Sequence, residues 1–203
     1  MKFIPHPYQQ YAINRVVSDP AVALFLEPGL GKTVITLTAI KELQAYRWEV
    51  FRPLVVAPKK VAEATWATEA AKWDHLKDMT VVPILGNTKQ RIKALYSPGN
   101  IWVTNRENLP WLVDYCRNDW PFDMVVLDES TSFKNSRAKR FVALKRVRPR
   151  IRRMVELTGT PSPNGLPDLY AQIYLLDGGA RLGRTLTSFR EIYMSQDYAH
   201  PGQ

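Results

Sequence analysis

Three short clusters hold the residue types with which this chain could do chemistry on a phosphate. The first, Glu27-Pro28-Gly29-Leu30-Gly31-Lys32-Thr33, follows an apolar run and opens a stretch of helical length at Lys32. Glycines let a backbone curl its N–H groups around an anion without a Cβ clash, and the positive end of the following helix points at the same place. Pro28, Gly29, Leu30 and Gly31 would form the cradle, Lys32 would reach the outer phosphates, and Thr33 would offer a hydroxyl to magnesium. The general phosphate-loop pattern has glycine where Leu26 stands, so this is a variant of it. Taken alone, the turn could also be a plain helix entry.

The second cluster is the acidic pair Asp128-Glu129, directly after Met124-Val125-Val126-Leu127. Carboxylates emerging from an apolar strand carry a desolvation cost unless they are paired or metal-bound. Asp128 is expected to hold magnesium and Glu129 to orient and activate an attacking water; a solvated strand end is the alternative. The third is Thr158-Gly159-Thr160-Pro161.

These clusters need elements to position them. β-rich apolar runs at 21–26, 53–57, 80–85, 101–104, 122–127 and 153–157 alternate with helix candidates at 32–47, 60–73, 88–96, 107–117, 136–147 and 167–176. That alternation is the α/β pattern, and runs apolar on both faces indicate a parallel sheet covered by helices on both sides. Five of the runs end in polar or glycine-containing loops: EPGLGKT, APKK, TNRE, DES and TGTP. Ligands in open parallel sheets bind beyond the carboxyl ends of the strands, so these loops would form one composite site.

Composition narrows the class. At 203 residues, with 45% hydrophobic and 23% charged residues, the chain is large enough for a real core and unlike a disordered or coiled-coil sequence. A single cysteine, Cys116, and three scattered histidines argue for a reduced, cytoplasmic protein without a disulfide or metal cluster. No apolar run approaches the ~20 residues of a membrane span. The net charge of +9 resides in one segment: residues 130–155 hold ten basic residues and no acidic one. Such a block suits a polyanion or a solvated helix face.

Taken together, the motifs resemble the first RecA-like lobe of Swi/Snf-type ATPases, a branch of the superfamily 2 helicases, and look most like versions encoded by phages and prophages. The resemblance covers residues 1–195, with 196–203 as the start of a linker. Pro7-Tyr8-Gln9 resembles the N-terminal glutamine motif, in which Gln9 would read adenine; Pro58, Trp66, Glu69 and Trp73 recur at the family's spacing. Val103-Thr104 with Glu107 resembles a nucleic-acid-facing motif, and Asp128 to Asn135 resembles the Asp-Glu-Ala-His segment, with Ser130-Thr131 in place of Ala-His. Thr158-Gly159-Thr160-Pro161 with Asn164 resembles the third motif.

The resemblance implies a RecA-like phosphate-loop fold and ATP with Mg²⁺ as cofactors. It implies DNA-dependent ATP hydrolysis driving translocation on DNA, mostly double-stranded and held by its backbone. Lys32, Asp128 and Glu129 would be catalytic, and Thr158, Gly159 and Thr160 would couple nucleotide state to DNA. Lys59, Lys60, Thr104, Lys134, Lys139, Arg140, Lys145 and Arg146 would lie near the phosphates. If the chain is phage-encoded, its place is the bacterial host cytoplasm. One lobe holds half a site, so a second RecA-like lobe in cis or trans, bearing an arginine finger, is expected, and alone the chain should turn over very slowly. The competing readings are a helicase-like module that binds DNA or a protein without cycling, and another phosphate-loop enzyme such as a kinase. Intact Lys32, Thr33, Asp128 and Glu129 favour the ATPase.

Overall fold

A computed structural model describes residues 1–162 and 165–194; Asn164 and the 196–203 segment lie outside the described residues. Six strands form: β1 (Ala21–Phe25), β2 (Pro53–Ala57), β3 (Val81–Ile84), β4 (Ile101–Asn105), β5 (Met124–Asp128) and β6 (Arg153–Thr158). All pair in parallel in the order β1-β6-β5-β2-β4-β3, in register from Ala21↔Met154 to Phe25↔Thr158 along one edge. The expected parallel sheet is therefore present, with each run within a residue or two of its strand. β1 departs from expectation in one respect: it is the sheet's edge strand rather than a buried one, and Phe25 is 48% exposed.

The period-2 alternation of the strands divides the core into two layers. Val55, Val103, Val126 and Val155 face a layer that includes Ile13, Ile35, Ile40 and Trp66, while Leu54, Trp102, Leu127 and Met154 face Leu112, Phe141, Leu144 and Leu175. The first layer is built by α1 (Pro7–Ser18), α2 (Lys32–Ala45) and α3 (Trp66–Lys72), the second by α4 (Thr88–Leu95), α5 (Leu109–Cys116), α6 (Lys139–Val147) and α7 (Pro167–Asp177). A last helix, α8 (Leu186–Tyr193), packs Phe189 against Tyr170.

Two helices are absent from the sequence expectation. α1 begins at Pro7, and proline at the first helical position is favoured because its missing N–H has no intrahelical partner there in any case. Its buried Ala12, Ile13, Val16 and Val17 recur at helical spacing. α8 buries only Phe189, but its Leu186, Phe189 and Tyr193 recur at helical spacing, a signal in the sequence that the expectation passed over. The expected 60–73 helix is also interrupted: Val61–Thr65 winds as a π-helical turn before α3, and Trp73 caps α3 in an extended conformation, so Trp66 and Trp73 do not share one helix. Among the described residues no helix is long and apolar enough to cross a membrane.

Candidate functional site

The phosphate loop leaves β1 and enters α2 through two left-handed glycines, Gly29 at φ 87° and Gly31 at φ 81°. A Cβ on Gly29 would meet nothing within 4 Å, so its glycine serves the backbone conformation alone. At Gly31 the left-handed backbone favours glycine, and a Cβ would also come within 2.7 Å of the Gln9 side-chain nitrogen and displace that amide. Lys32 turns back over the loop, its ammonium donating to the Leu26 carbonyl at 2.7 Å and the Glu27 carbonyl at 3.2 Å. A cation held by two neutral carbonyls is poised to exchange them for an anion, and Glu27, Pro28 and Gly29 are exposed to receive one.

Gln9 stands behind this loop. Its amide accepts from the His6 N–H at 2.9 Å and donates to the Leu30 carbonyl at 3.3 Å, and the Tyr8 hydroxyl donates to the same carbonyl at 3.3 Å. The residue is 8% exposed. Gln9 thus braces the cradle, whatever it reads beyond it.

Asp128 ends β5 on the α1–α3 face, the face of Met124 and Val126. The Trp66 indole N–H donates to its Oδ2 at 3.1 Å. Burial raises the Asp128 carboxyl above the ordinary range, the neighbouring Glu129 pushes the same way, and Trp66 and Lys32 act against them. Trp66 is 1% exposed, and a buried indole N–H needs an acceptor, which the Asp128 carboxylate supplies. Glu129 takes a left-handed backbone, φ 56° and ψ 58°, which costs a non-glycine residue on the order of 1–2 kcal/mol. The strain turns the chain from β5 into the 3₁₀ turn Ser130–Phe133.

The third cluster abuts the first. The Leu26 N–H donates to the Thr158 carbonyl at 3.1 Å, and a Cβ on Gly159 would meet Pro28 Cδ at 3.0 Å. The Thr158 hydroxyl, fully buried, accepts from the Thr160 N–H at 3.1 Å. Phosphate loop, acidic pair and threonine turn therefore meet at the carboxyl ends of β1, β5 and β6, neighbours in the sheet.

The donor set fits magnesium carried by a nucleotide. Among the described residues no three His, Cys, Asp or Glu side chains converge, so a metal at Asp128 would need oxygens from elsewhere. Mg²⁺ takes that form, with one or two protein ligands completed by phosphate and water.

The basic residues are not gathered in one place. Lys59 and Lys60 are exposed just beyond β2, where Lys59 stands 4.0 Å from Glu63. Thr104 corrects the sequence expectation: it is fully buried in β4, with its hydroxyl donating to the Ile84 carbonyl, and cannot touch a backbone phosphate. Lys134 pairs with Asp168 at 3.3 Å, and Arg140 donates to the Ser132 carbonyl. Lys139 is exposed at the start of α6. The far end of that helix lies at the opposite edge of the sheet, where Lys145 sits 4.5 Å over the Tyr174 ring and Arg146 pairs with Asp114.

A parallel sheet with a phosphate-loop motif at the end of its first strand and an acidic pair at the end of a nearby one has the RecA-like architecture. Residues 10–192 match the SNF2-related domain family, and the chain belongs to it. It is 43% identical over 207 residues to putative protein p41 of Acyrthosiphon pisum secondary endosymbiont phage 1, covering 99% of this chain and 45% of that protein. It is 32% identical over 187 residues to the Aspergillus fumigatus helicase swr1, covering 89% of this chain and 10% of the helicase. The fold superposes on the Sulfolobus solfataricus SWI2/SNF2 ATPase core in complex with dsDNA with a TM-score of 0.80 at 24% identity, over 94% of this chain and 39% of that one. The chain thus spans under half the length of these relatives and consists of an SNF2-related domain with the RecA-like fold.

Proposed function

We propose that this lobe binds ATP with Mg²⁺ and, once completed by a second RecA-like lobe in cis or trans, hydrolyses it to drive translocation on DNA. The observation that carries the reading is the meeting of Lys32, the Asp128-Glu129 pair and the Thr158-Gly159-Thr160 turn on one sheet edge, joined through Leu26 and Pro28. Lys32 would leave its two carbonyls for the outer phosphates, with the N–H groups of Gly29 to Thr33 around them. Thr33 and Asp128 would hold the magnesium, which when bound neutralises phosphate charge. Glu129, at the same strand end, would take a proton from the attacking water. Proximity of Thr158 and Thr160 to the phosphate loop suits them to report nucleotide state toward DNA.

Double-stranded DNA is favoured because the archaeal structural neighbour is an ATPase core in complex with dsDNA. The exposed Lys59, Lys60 and Lys139 are the residues of this chain best placed to meet its phosphates. The phage relative supports action in the cytoplasm of a bacterial host. Calorimetry with ATP and Mg²⁺ tests the reading: Lys32→Ala should lose at least about tenfold in affinity, about 1.4 kcal/mol, as expected for one charge-assisted contact. Equal affinity in the variant would remove the assignment.

A further inference from the structure

A second polar cluster lies under the site, in the α5–α7 layer, made of residues that none of the steps above uses. Ser130, the residue after the acidic pair, is fully buried and donates its hydroxyl to Gln172 Oε1 on α7 at 2.8 Å. The Gln172 nitrogen donates to the Pro161 carbonyl at 2.7 Å and to the Asp168 carbonyl at 2.9 Å. Two carbonyls on the nitrogen fix the amide's orientation, so Oε1 must face Ser130 and Ser130 must be the donor. One turn earlier on the same helix, Asp168 takes Lys134, four residues beyond Ser130.

α7 therefore grips the segment that follows Asp128-Glu129 at two points and the threonine turn at a third. Gln172 is 1% exposed, so water cannot replace any of these bonds. Leaving a buried donor or acceptor unmade is costly, and the amide either keeps all three bonds by moving with its partners or loses one outright. The surroundings are closed as well. Glu156, fully buried on β6, stands beside Ser130 with neither oxygen hydrogen-bonded among the described residues, and the Ser130 proton is already committed to Gln172. The Arg148 guanidinium is spent on the carbonyls of Ile151, Leu175 and Leu176. Glu156 is the group the Ser130 hydroxyl would turn to if the amide moved away, at the cost of leaving Gln172 Oε1 buried and unpaired.

We infer that Gln172 is a positioning residue that carries displacement of the Asp128-Glu129-Ser130 segment to the Thr158-Gly159-Thr160-Pro161 turn, so that nucleotide occupancy reaches the turn through α7. The inference rests on the ATP-site reading above. Its warrant is a connected, fully satisfied set of buried bonds between two motifs that touch the nucleotide site from different strands.

Hydrogen exchange of the full chain, with and without saturating ATP and Mg²⁺, tests it. In the unmodified chain the amides of Gly159 and Thr160 should slow by about three- to tenfold on nucleotide addition, the effect of about one hydrogen bond. Gln172→Leu and Ser130→Ala should bind ATP within about twofold of the unmodified chain and keep the slowing at Gly29 to Lys32, while the slowing at Gly159 and Thr160 falls below about twofold. Ser130→Ala removes only one oxygen, so it decides the matter if Gln172→Leu does not fold. Full slowing at the turn in a folded variant overturns the inference, as does an unmodified chain in which only the phosphate loop responds. Failure of the ATP-site reading is distinguishable, because then Lys32→Ala binds nucleotide as the unmodified chain does and no amide of the phosphate loop slows.

Discussion

Two side chains at the site answer to burial rather than to motif. Trp66 reaches across from α3 to Asp128, so this carboxylate is oriented by a residue 62 positions earlier. Trp66→Phe keeps most of the ring's packing and removes the donor. Because a hydrogen bond to a charged group contributes ~1.5–3 kcal/mol, this variant should bind ATP with Mg²⁺ roughly tenfold more weakly or worse. Calorimetry at fixed Mg²⁺ reads the effect, and unchanged affinity would show that Asp128 is held by its strand alone. Glu156 is the second case. Burial pushes its carboxyl well above the ordinary value of 4.5, with Ser130 and Arg148 opposing. In the folded chain it therefore keeps its proton where the unfolded chain has lost it. The stability present below pH 4.5 is lost progressively as pH rises toward the folded value, with a slope of at most ~1.4 kcal/mol per pH unit. Glu156→Gln cannot ionise, so the difference in unfolding free energy between the two should swing toward the variant as pH climbs from 5 to 8. Denaturant titrations at each pH measure that difference, and parallel curves would mean that Glu156 stays charged against Arg148.

The elements explain why a run of like charge is not a patch. α6 leaves the carboxyl edge of the sheet at Lys139, runs nine residues or ~13 Å, and with the turn Arg148–Arg150 delivers the chain to the start of β6 at the other edge. Basic residues adjacent in sequence are thereby shared between opposite ends of the lobe. Most also have fixed partners: Arg152 pairs with Asp123 at 3.1 Å, and Arg153, 8% exposed, pairs with Glu49 and donates to the carbonyls of Val16 and Val17. These contacts lock the bottom of the sheet to α1 and to the strand entrances. A salt titration of DNA binding should separate the two ends of α6. Duplex binding loses about 0.9 in log–log slope for each phosphate contact removed, so Lys59→Glu with Lys60→Glu should flatten the slope by up to about 2. Lys145→Glu with Arg146→Glu should leave it unchanged and cost at most about 1 kcal/mol of stability, the value of an exposed ion pair. The reverse pattern would put the DNA on the α6 side.

At the largest scale, the phosphate loop and the acidic pair lie open at one sheet edge, which is what the proposed completion by a second lobe requires. Since an arginine supplied from another lobe is worth ~10³ to 10⁵ in rate, residues 1–203 alone should hydrolyse ATP very slowly even with DNA present. Steady-state phosphate release measures this, and robust DNA-stimulated turnover that disappears in Glu129→Gln would show that the lobe completes its own site. The six strands, the parallel sheet and the three loops were legible in sequence, because buried parallel strands must read as apolar runs and phosphate chemistry requires glycine, lysine and carboxylates at nearly fixed spacing. Local patterning carried α2 and α4 to α7 for the same reason. The same pattern is present in α8, at Leu186, Phe189 and Tyr193, and was passed over, whereas the π turn that splits the expected 60–73 helix leaves no pattern of its own. Residues whose role depends on a distant partner were beyond it altogether. Trp66 finds its acceptor on β5, Gln172 joins two motifs from a helix outside both, Thr104 is buried by its neighbours on the sheet, and Lys145 is carried to the far edge by the length of α6. Spacing along a chain constrains what neighbours can do together, whereas burial and cross-element hydrogen bonds exist only once the sheet has brought distant segments into contact.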